Sequence, residues 1–380
     1  MDISYILNQL GEDRENYFNA VAPPIIQTSN FAFKTVADFR NAMQDELHAH
    51  LYSRGNNPTV EIVRKKIAAL EGTDDCLVFS SGVAAVTAAV MSVVKSGDHI
   101  VCIESPYSWT THLLTQILPD YNISTTFVDG KEIKNFESAI QSNTKLIFLE
   151  SPNTFWFDLQ DIKAVCDLAK QKKIITAIDN SYCTPLYQQP HLYGIDLIVH
   201  TATKYLAGHS DVVAGVVCGN KEIIGKIFQH QFMCFGAIPS PHDAWLLLRG
   251  LRTLPLRLEK SVNTTEKVIA YLGKHLKVEK IIYPFHPSHA QYDLAKKQMK
   301  RGGGLFAVLL KTNSTEKIEL FCNTLERFLL AVSWGGHESL VFAACIKKNN
   351  HYPNNYVRFY IGLEEADVLI EDLERSLEMI

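Results

Sequence analysis

Three groups of residues in this chain have the types and spacing to act together chemically. Ser80-Ser81-Gly82-Val83 lies between an apolar run at 76–79 and a helical pattern at 83–95, so its backbone N–H groups and hydroxyls face the carboxyl end of the sheet. Helix N-termini offer unpaired donors and a favourable dipole to a phosphate, although a plain N-cap accounts for the same residues. The segment has neither a Gly-rich P-loop with its Lys nor a dinucleotide fingerprint, so one phosphate suits it better than a pyrophosphate. Asp179 directly follows the apolar run 174–178 and either caps a loop or holds a cationic ring nitrogen. Lys204 comes twenty-five residues later, within His200-Thr201-Ala202-Thr203-Lys204-Tyr205, with hydroxyls on both sides. A desolvated lysine loses basicity and becomes a nucleophile toward aldehydes and a general base; a lone lysine is ordinarily a solvated surface residue. A Schiff-base lysine, an acid for a pyridinium nitrogen and a phosphate cup are together what pyridoxal phosphate requires.

The elements around these groups place them on one edge. From about residue 60 to about 220, short apolar runs at 76–79, 99–103, 145–149, 174–178, 196–200 and 212–218 alternate with helical patterns such as 83–95 and 161–170. That alternation predicts a mostly parallel sheet covered on both faces, with ligands at the carboxyl ends of its strands. After about residue 240 the pattern predicts a helix over 243–258 interrupted at Pro255, helices near 262–275, 315–327 and 366–378, and strands at 304–311 and 355–361. We divide the chain into an N-terminal arm with little core of its own (1–50), a large cofactor-binding α/β domain (51–240) and a smaller α+β domain (241–380).

Composition excludes several other classes. The 380 residues carry 37 Lys+Arg against 41 Asp+Glu, a net charge of −4, without the basic block that nucleic acid or an acidic membrane would select. The eight cysteines are scattered with no Cys-x-x-Cys pair, which fits buried apolar residues in a reducing compartment rather than disulfides or zinc. The longest apolar run, 84–94, is shorter than the roughly 18 residues of a spanning helix, and the N-terminus lacks signal-peptide features. The expectation is a cytoplasmic enzyme of small-molecule chemistry, with no metal site.

The motifs also carry a resemblance. Tyr52-Ser-Arg54 with Asn57-Pro58, Ser80-Ser-Gly-Val-Ala84, Glu150-Ser-Pro-Asn153, Asp179-Asn180, Ala202-Thr-Lys-Tyr205 with Gly208-His-Ser-Asp211, Arg249-Gly-Leu-Arg-Thr253 and Ser333-Trp-Gly-Gly-His-Glu-Ser-Leu340 run from about residue 20 to the C-terminus in the order of one family. The chain resembles the pyridoxal-phosphate enzymes of cysteine and methionine metabolism, the trans-sulfuration enzymes. The resemblance implies a fold-type I architecture, a mostly parallel seven-stranded-type sheet between helices plus a smaller α+β C-terminal domain. It makes Lys204 the cofactor lysine and Asp179 the partner of the ring nitrogen. Ser81, Gly82, Val83, Thr201 and Thr203 then take the phosphate. Tyr107, by its types alone one of fifteen tyrosines in core or rim, becomes the residue that stacks on the ring. Tyr52 and Arg54 would reach the phosphate of a neighbouring subunit, implying a homodimer as the minimal active unit and a homotetramer as the assembly. Arg358, which by itself could be a structural ion pair, would hold the substrate α-carboxylate with Ser333 and Asn153. His200, His209 and His337 show no metal-ligand spacing, and with Lys204 as base none is needed for the chemistry.

Within that family the local residues point to a carbon–sulfur lyase. Val332 stands where γ-acting cystathionine enzymes commonly carry Glu, Ser333-Trp334-Gly-Gly with Glu338-Ser-Leu340 resembles cystathionine β-lyase, and Ser108-Trp109-Thr110 departs from the γ-type sequence after the stacking tyrosine. β-Elimination from L-cystathionine or a related amino acid, giving a thiol such as homocysteine, pyruvate and ammonia, is the expectation. An apolar Val332 and the Tyr52-to-Pro58 motif lean instead toward γ-type relatives. Cystathionine γ-synthase or O-acyl-homoserine sulfhydrylase, cystathionine or methionine γ-lyase, and a non-catalytic protein on this fold are the alternatives.

Overall fold

The computed structural model describes residues 1–346 and 352–380. The first seven strands are β1 (Asp75–Phe79), β2 (His99–Ile103), β3 (Ser124–Val128), β4 (Thr144–Glu150), β5 (Ile175–Asp179), β6 (Leu197–His200) and β7 (Gly215–Gly219). They form one sheet in the order β1-β7-β6-β5-β4-β2-β3, parallel throughout except that β7 runs antiparallel to both neighbours. Alternate residues of the inner strands enter two different cores: Ile147, Leu149 and Ile178 on one face, Leu146, Phe148 and Ala177 on the other. Helices cover both faces, which is why these strands read as unbroken apolar runs rather than alternating ones. Strand β3 escaped the sequence reading: it sits on the sheet edge, Ser124 is exposed and only Val128 is buried.

A second sheet contains β8 (Val278–Ile282), β9 (Leu305–Leu310), β10 (Leu329–Leu330), β11 (Leu340–Ala343) and β12 (Tyr356–Tyr360), in the order β10-β11-β12-β9-β8. The sequence pattern anticipates β9 and β12 and misses the other three. Between the sheets runs one helix, Pro241–Leu272, with Pro255 inside it. The expected break at Pro255 and restart at 262 do not occur. A helix-interior proline costs about 3 kcal/mol, but Leu247, Leu251, Leu254, Leu258 and Val262 form a fully buried stripe straight past it. Each such side chain contributes about 1.5–3 kcal/mol, so the stripe outweighs the lost hydrogen bond.

The N-terminal segment is tied down more firmly than an arm without core. Helix Ile3–Asn8 buries Ile6 and Leu7, and its last carbonyls accept bonds from the fully buried Lys66 Nζ (Ile6 O at 2.8 Å, Leu7 O at 3.1 Å). Lys66 also pairs with buried Glu12 at 3.1 Å, which meets Arg252 at 2.9 Å. The segment that follows is different: Phe18, Val21, Val36 and Met43 are all exposed.

Candidate active site

Strands β4 and β5 are registered so that Glu150 lies opposite Asp179, and β6 ends beside them in His200. Asp179 is 8% exposed; its Oδ1 accepts from the Ser181 N–H (2.9 Å) and hydroxyl (2.5 Å), and among the described residues no hydrogen bond engages Oδ2. Burial raises its pKa, against the Ser181 bonds and the charges of His200 and Lys204. The Ser181 hydroxyl also accepts the Thr201 N–H at 2.7 Å, fixing the turn that leads to the lysine. Lys204 Nζ donates to Ser333 Oγ and lies 5.5 Å from the Trp334 ring centroid. Its pKa is pushed down to about 8, chiefly by burial and then by the charge of Arg358, with Asp179 opposing. Gly335 makes this approach workable: its φ is +88°, and a Cβ there would lie 2.9 Å from Lys204 Cα.

Helix Gly82–Met91 begins against the same turn. Ser81 caps it by accepting the Ala84 N–H at 3.1 Å, which leaves the N–H groups of Gly82 and Val83 without helical partners. A Cβ on Gly82 would meet Thr201 at 2.5 Å, so only glycine lets the helix end approach that hydroxyl. The Thr203 hydroxyl is already engaged, donating to Ala214 O (3.2 Å) and accepting from Ala214 N (3.0 Å).

Tyr107, 38% exposed, donates its N–H to Glu150 Oε2 at 2.7 Å. Burial, Asp179 and Glu150 raise its hydroxyl pKa. Asn153 turns its Oδ1 to the N–H groups of Trp156 (3.1 Å) and Asp158 (3.3 Å), while its neighbour Thr154 donates its hydroxyl to Glu150 Oε1. Arg358, on β12, is 6% exposed and has no hydrogen bond or ion pair among the described residues. Its guanidinium lies 4.9 Å from the Phe155 ring centroid and 5.4 Å from that of Phe342. A buried cation without an anion is costly, and burial lowers its pKa. Such a group is what a substrate carboxylate would satisfy.

Tyr52 and Arg54 are not brought to this cluster within one chain; both are exposed, with Arg54 5.4 Å from the Tyr52 ring centroid. His209 bonds Ala207 O at 2.8 Å, exposed His337 meets Glu338 at 3.2 Å, and His200 bonds buried Glu71. The sequence reading assigned no role to Glu150, Thr154, Ser181, Phe155 or Trp334. Only Glu150 carried a signal, as an acid at a strand's carboxyl end like Asp179.

These residues fit pyridoxal phosphate. A buried carboxylate with an open oxygen, a lysine of reduced basicity and a helix start pressed on a threonine supply the donor set it needs. The family model for Cys/Met metabolism PLP-dependent enzymes matches residues 6–378, and the chain belongs to that family. It is therefore a pyridoxal-phosphate enzyme of sulfur amino-acid metabolism with a fold-type I architecture. It is 38% identical over 378 residues to an L-methionine gamma-lyase of Porphyromonas gingivalis (96% of this chain, 94% of the relative). It is 35% identical to a cystathionine gamma-lyase of Macaca fascicularis (97% and 92%) and 32% identical to an L-alanine/L-glutamate racemase of Wolbachia pipientis wMel (98% and 96%). The crystal structure of metB from Corynebacterium glutamicum superposes with a TM-score of 0.93 at 31% identity, over 100% of this chain and 98% of that one. Among the described residues no helix is long and apolar enough to cross a membrane.

Proposed function

We propose that the protein is a carbon–sulfur lyase acting on a sulfur-containing L-amino acid. The observation that carries this reading is Lys204, depressed to about 8 between a buried carboxyl, Asp179, and the buried cation Arg358, which has no ion-pair partner among the described residues. Arg358 would hold the α-carboxylate, with Ser333 and Asn153 at the substrate's edge and the Phe155 and Phe342 rings packed against the guanidinium. When bound, pyridoxal phosphate supplies the electrophile for the substrate amine and the sink for the electron pair left at Cα. Lys204, uncharged and oriented by Ser333, takes the Cα proton and can return it to the departing sulfur. Asp179 would hold the ring nitrogen and supply the negative charge that keeps it protonated. Tyr107 would stack on the ring; Ser81, Gly82, Val83, Thr201 and Thr203 would hold the phosphate, and Tyr52 and Arg54 of a second copy would complete it in a homodimer, with the homotetramer as the full assembly. The partition into arm, cofactor domain and C-terminal domain belongs to this reading, as does a cytoplasmic location.

The names of the relatives favour cleavage at Cγ, in which a second proton leaves Cβ before the C–S electron pair departs with sulfur, giving a thiol, 2-oxobutyrate and ammonia. β-Elimination is the second reading, favoured by Ser108-Trp109-Thr110 and by buried Trp334 beside Lys204. Product analysis separates them. L-Methionine should yield methanethiol and 2-oxobutyrate for the first; L-cystathionine yielding homocysteine and pyruvate supports the second. Inertness to both, with turnover of an acylated homoserine plus a thiol, overturns the lyase reading. A visible absorbance band that survives Lys204→Ala would remove the site assignment itself.

A further inference from the structure

Glu150 is buried (4% exposed) and forms a registered pair with Asp179 across adjacent parallel strands, so both carboxyls project from the same face of the sheet at strand spacing. Two carboxylates so placed in a dry site cannot both keep their charge. Their surroundings decide which does. Asp179 has two donors from Ser181 and faces the cation Lys204, with the His200 ring beside it. Glu150 has the N–H groups of Tyr107 and Thr154 and the Thr154 hydroxyl as donors and lies near Cys102, Tyr352 and Asp179, but no Lys, Arg or His side chain bonds it among the described residues, so no positive charge offsets its burial. The charge therefore goes to Asp179 and the proton to Glu150. The Thr154 hydroxyl can accept that proton from the neutral acid as readily as it donates to the anion.

We propose that Glu150 is a positioning residue: as an uncharged acid it anchors the main chain of Tyr107 beside Asp179 and leaves Asp179 the single carboxylate anion of the site. The proposal rests on the reading of Lys204 and Asp179 as the reacting centre. Burial first, and Asp179 second, hold the Glu150 carboxyl up to about 8. Above that value a second negative charge appears beside Asp179, at the Tyr107 N–H.

Glu150→Gln copies the neutral acid, its carbonyl oxygen facing the Tyr107 N–H and its amide facing Thr154. Three measurements test the proposal: kcat and KM against pH, pyridoxal phosphate affinity by equilibrium dialysis, and the melting temperature of the cofactor-free protein against pH. The Gln variant should keep kcat/KM and cofactor affinity at neutral pH and lose the parent's decline near pH 8. Glu150→Ala, which frees Tyr107, should lower kcat by about 10²-fold. A carboxyl held above its unfolded value binds its proton more tightly in the folded chain. Its stabilisation is therefore full below about pH 4.5 and is lost as the pH rises to about 8. The cofactor-free parent should lose melting temperature across that window relative to the Gln variant. A Gln variant as impaired as Ala at neutral pH, or parallel melting profiles, would overturn the proposal. If Glu150→Ala does not fold, the Gln comparison alone decides. Loss of the underlying reading shows separately, as cofactor binding indifferent to Lys204→Ala, and leaves the melting comparison intact.

Discussion

Lys204 is defined by what surrounds it rather than by its own type. Burial and Arg358 hold its amine down to about 8 from an ordinary 10.5. Uptake of pyridoxal phosphate by the cofactor-free protein needs the uncharged amine, so its rate should climb with pH and level off above about 8; a midpoint near 10.5 would contradict this environment. Arg358 makes its own prediction. Arg358→Ala should cost about 2–5 kcal/mol in substrate binding, read as a raised KM, with cofactor affinity kept; a colourless variant would show the residue to be misplaced. Phe155→Ala should move KM in the same direction by a smaller amount, because the ring only steadies the guanidinium. Lys204 and Asp179 are legible in sequence as charges that follow apolar runs, whereas Arg358, which by itself could be a structural ion pair, is legible only through the family resemblance. Phe155 and Thr154 are not, since both reach the site from a loop whose path depends on contacts across the chain.

At the level of elements, the long helix shows packing overruling local propensity. Pro255 argues for a break, and the apolar stripe around it argues for continuation. Leu258→Ala, removing a fully buried side chain just past the proline, should destabilise the fold by about 2–5 kcal/mol. Leu256→Ala, at 69% exposure, should change stability by less than about 0.5 kcal/mol. Equal effects in denaturant unfolding would mean the helix does not run through. The strands that sequence missed share a cause. β3 is a half-exposed edge strand and β10 is two exposed residues long, so neither presents the buried apolar run that marks β4 or β5.

Across the whole molecule, the first residues divide into an anchor and an exposed stretch. Glu12 is buried with Lys66 and capped by partly exposed Arg252, so Glu12→Gln, stranding Lys66, should cost about 3–5 kcal/mol in thermal or denaturant unfolding. The exposed apolar residues beyond it, together with exposed Tyr52 and Arg54, fit a surface that a second copy covers. A mixture of inactive Lys204→Ala and inactive Arg54→Ala proteins, unfolded and refolded together, should then recover part of the activity, since a mixed dimer holds one intact site. No recovery would confine the site to a single chain.

Chemical identity and order along the chain were settled by the sequence itself. A lysine, an aspartate and a capped helix start at the ends of apolar runs are the residue types a pyridoxal-phosphate site needs, and strand ends in a parallel sheet share one edge. Tertiary structure decided what depends on neighbours distant in sequence. It set Glu150 against Asp179 through strand register, stranded Arg358 between Phe155 and Phe342, and pressed Gly335 onto Lys204. Charge and pKa follow from burial and distance, and those arise only once the strands have found their partners.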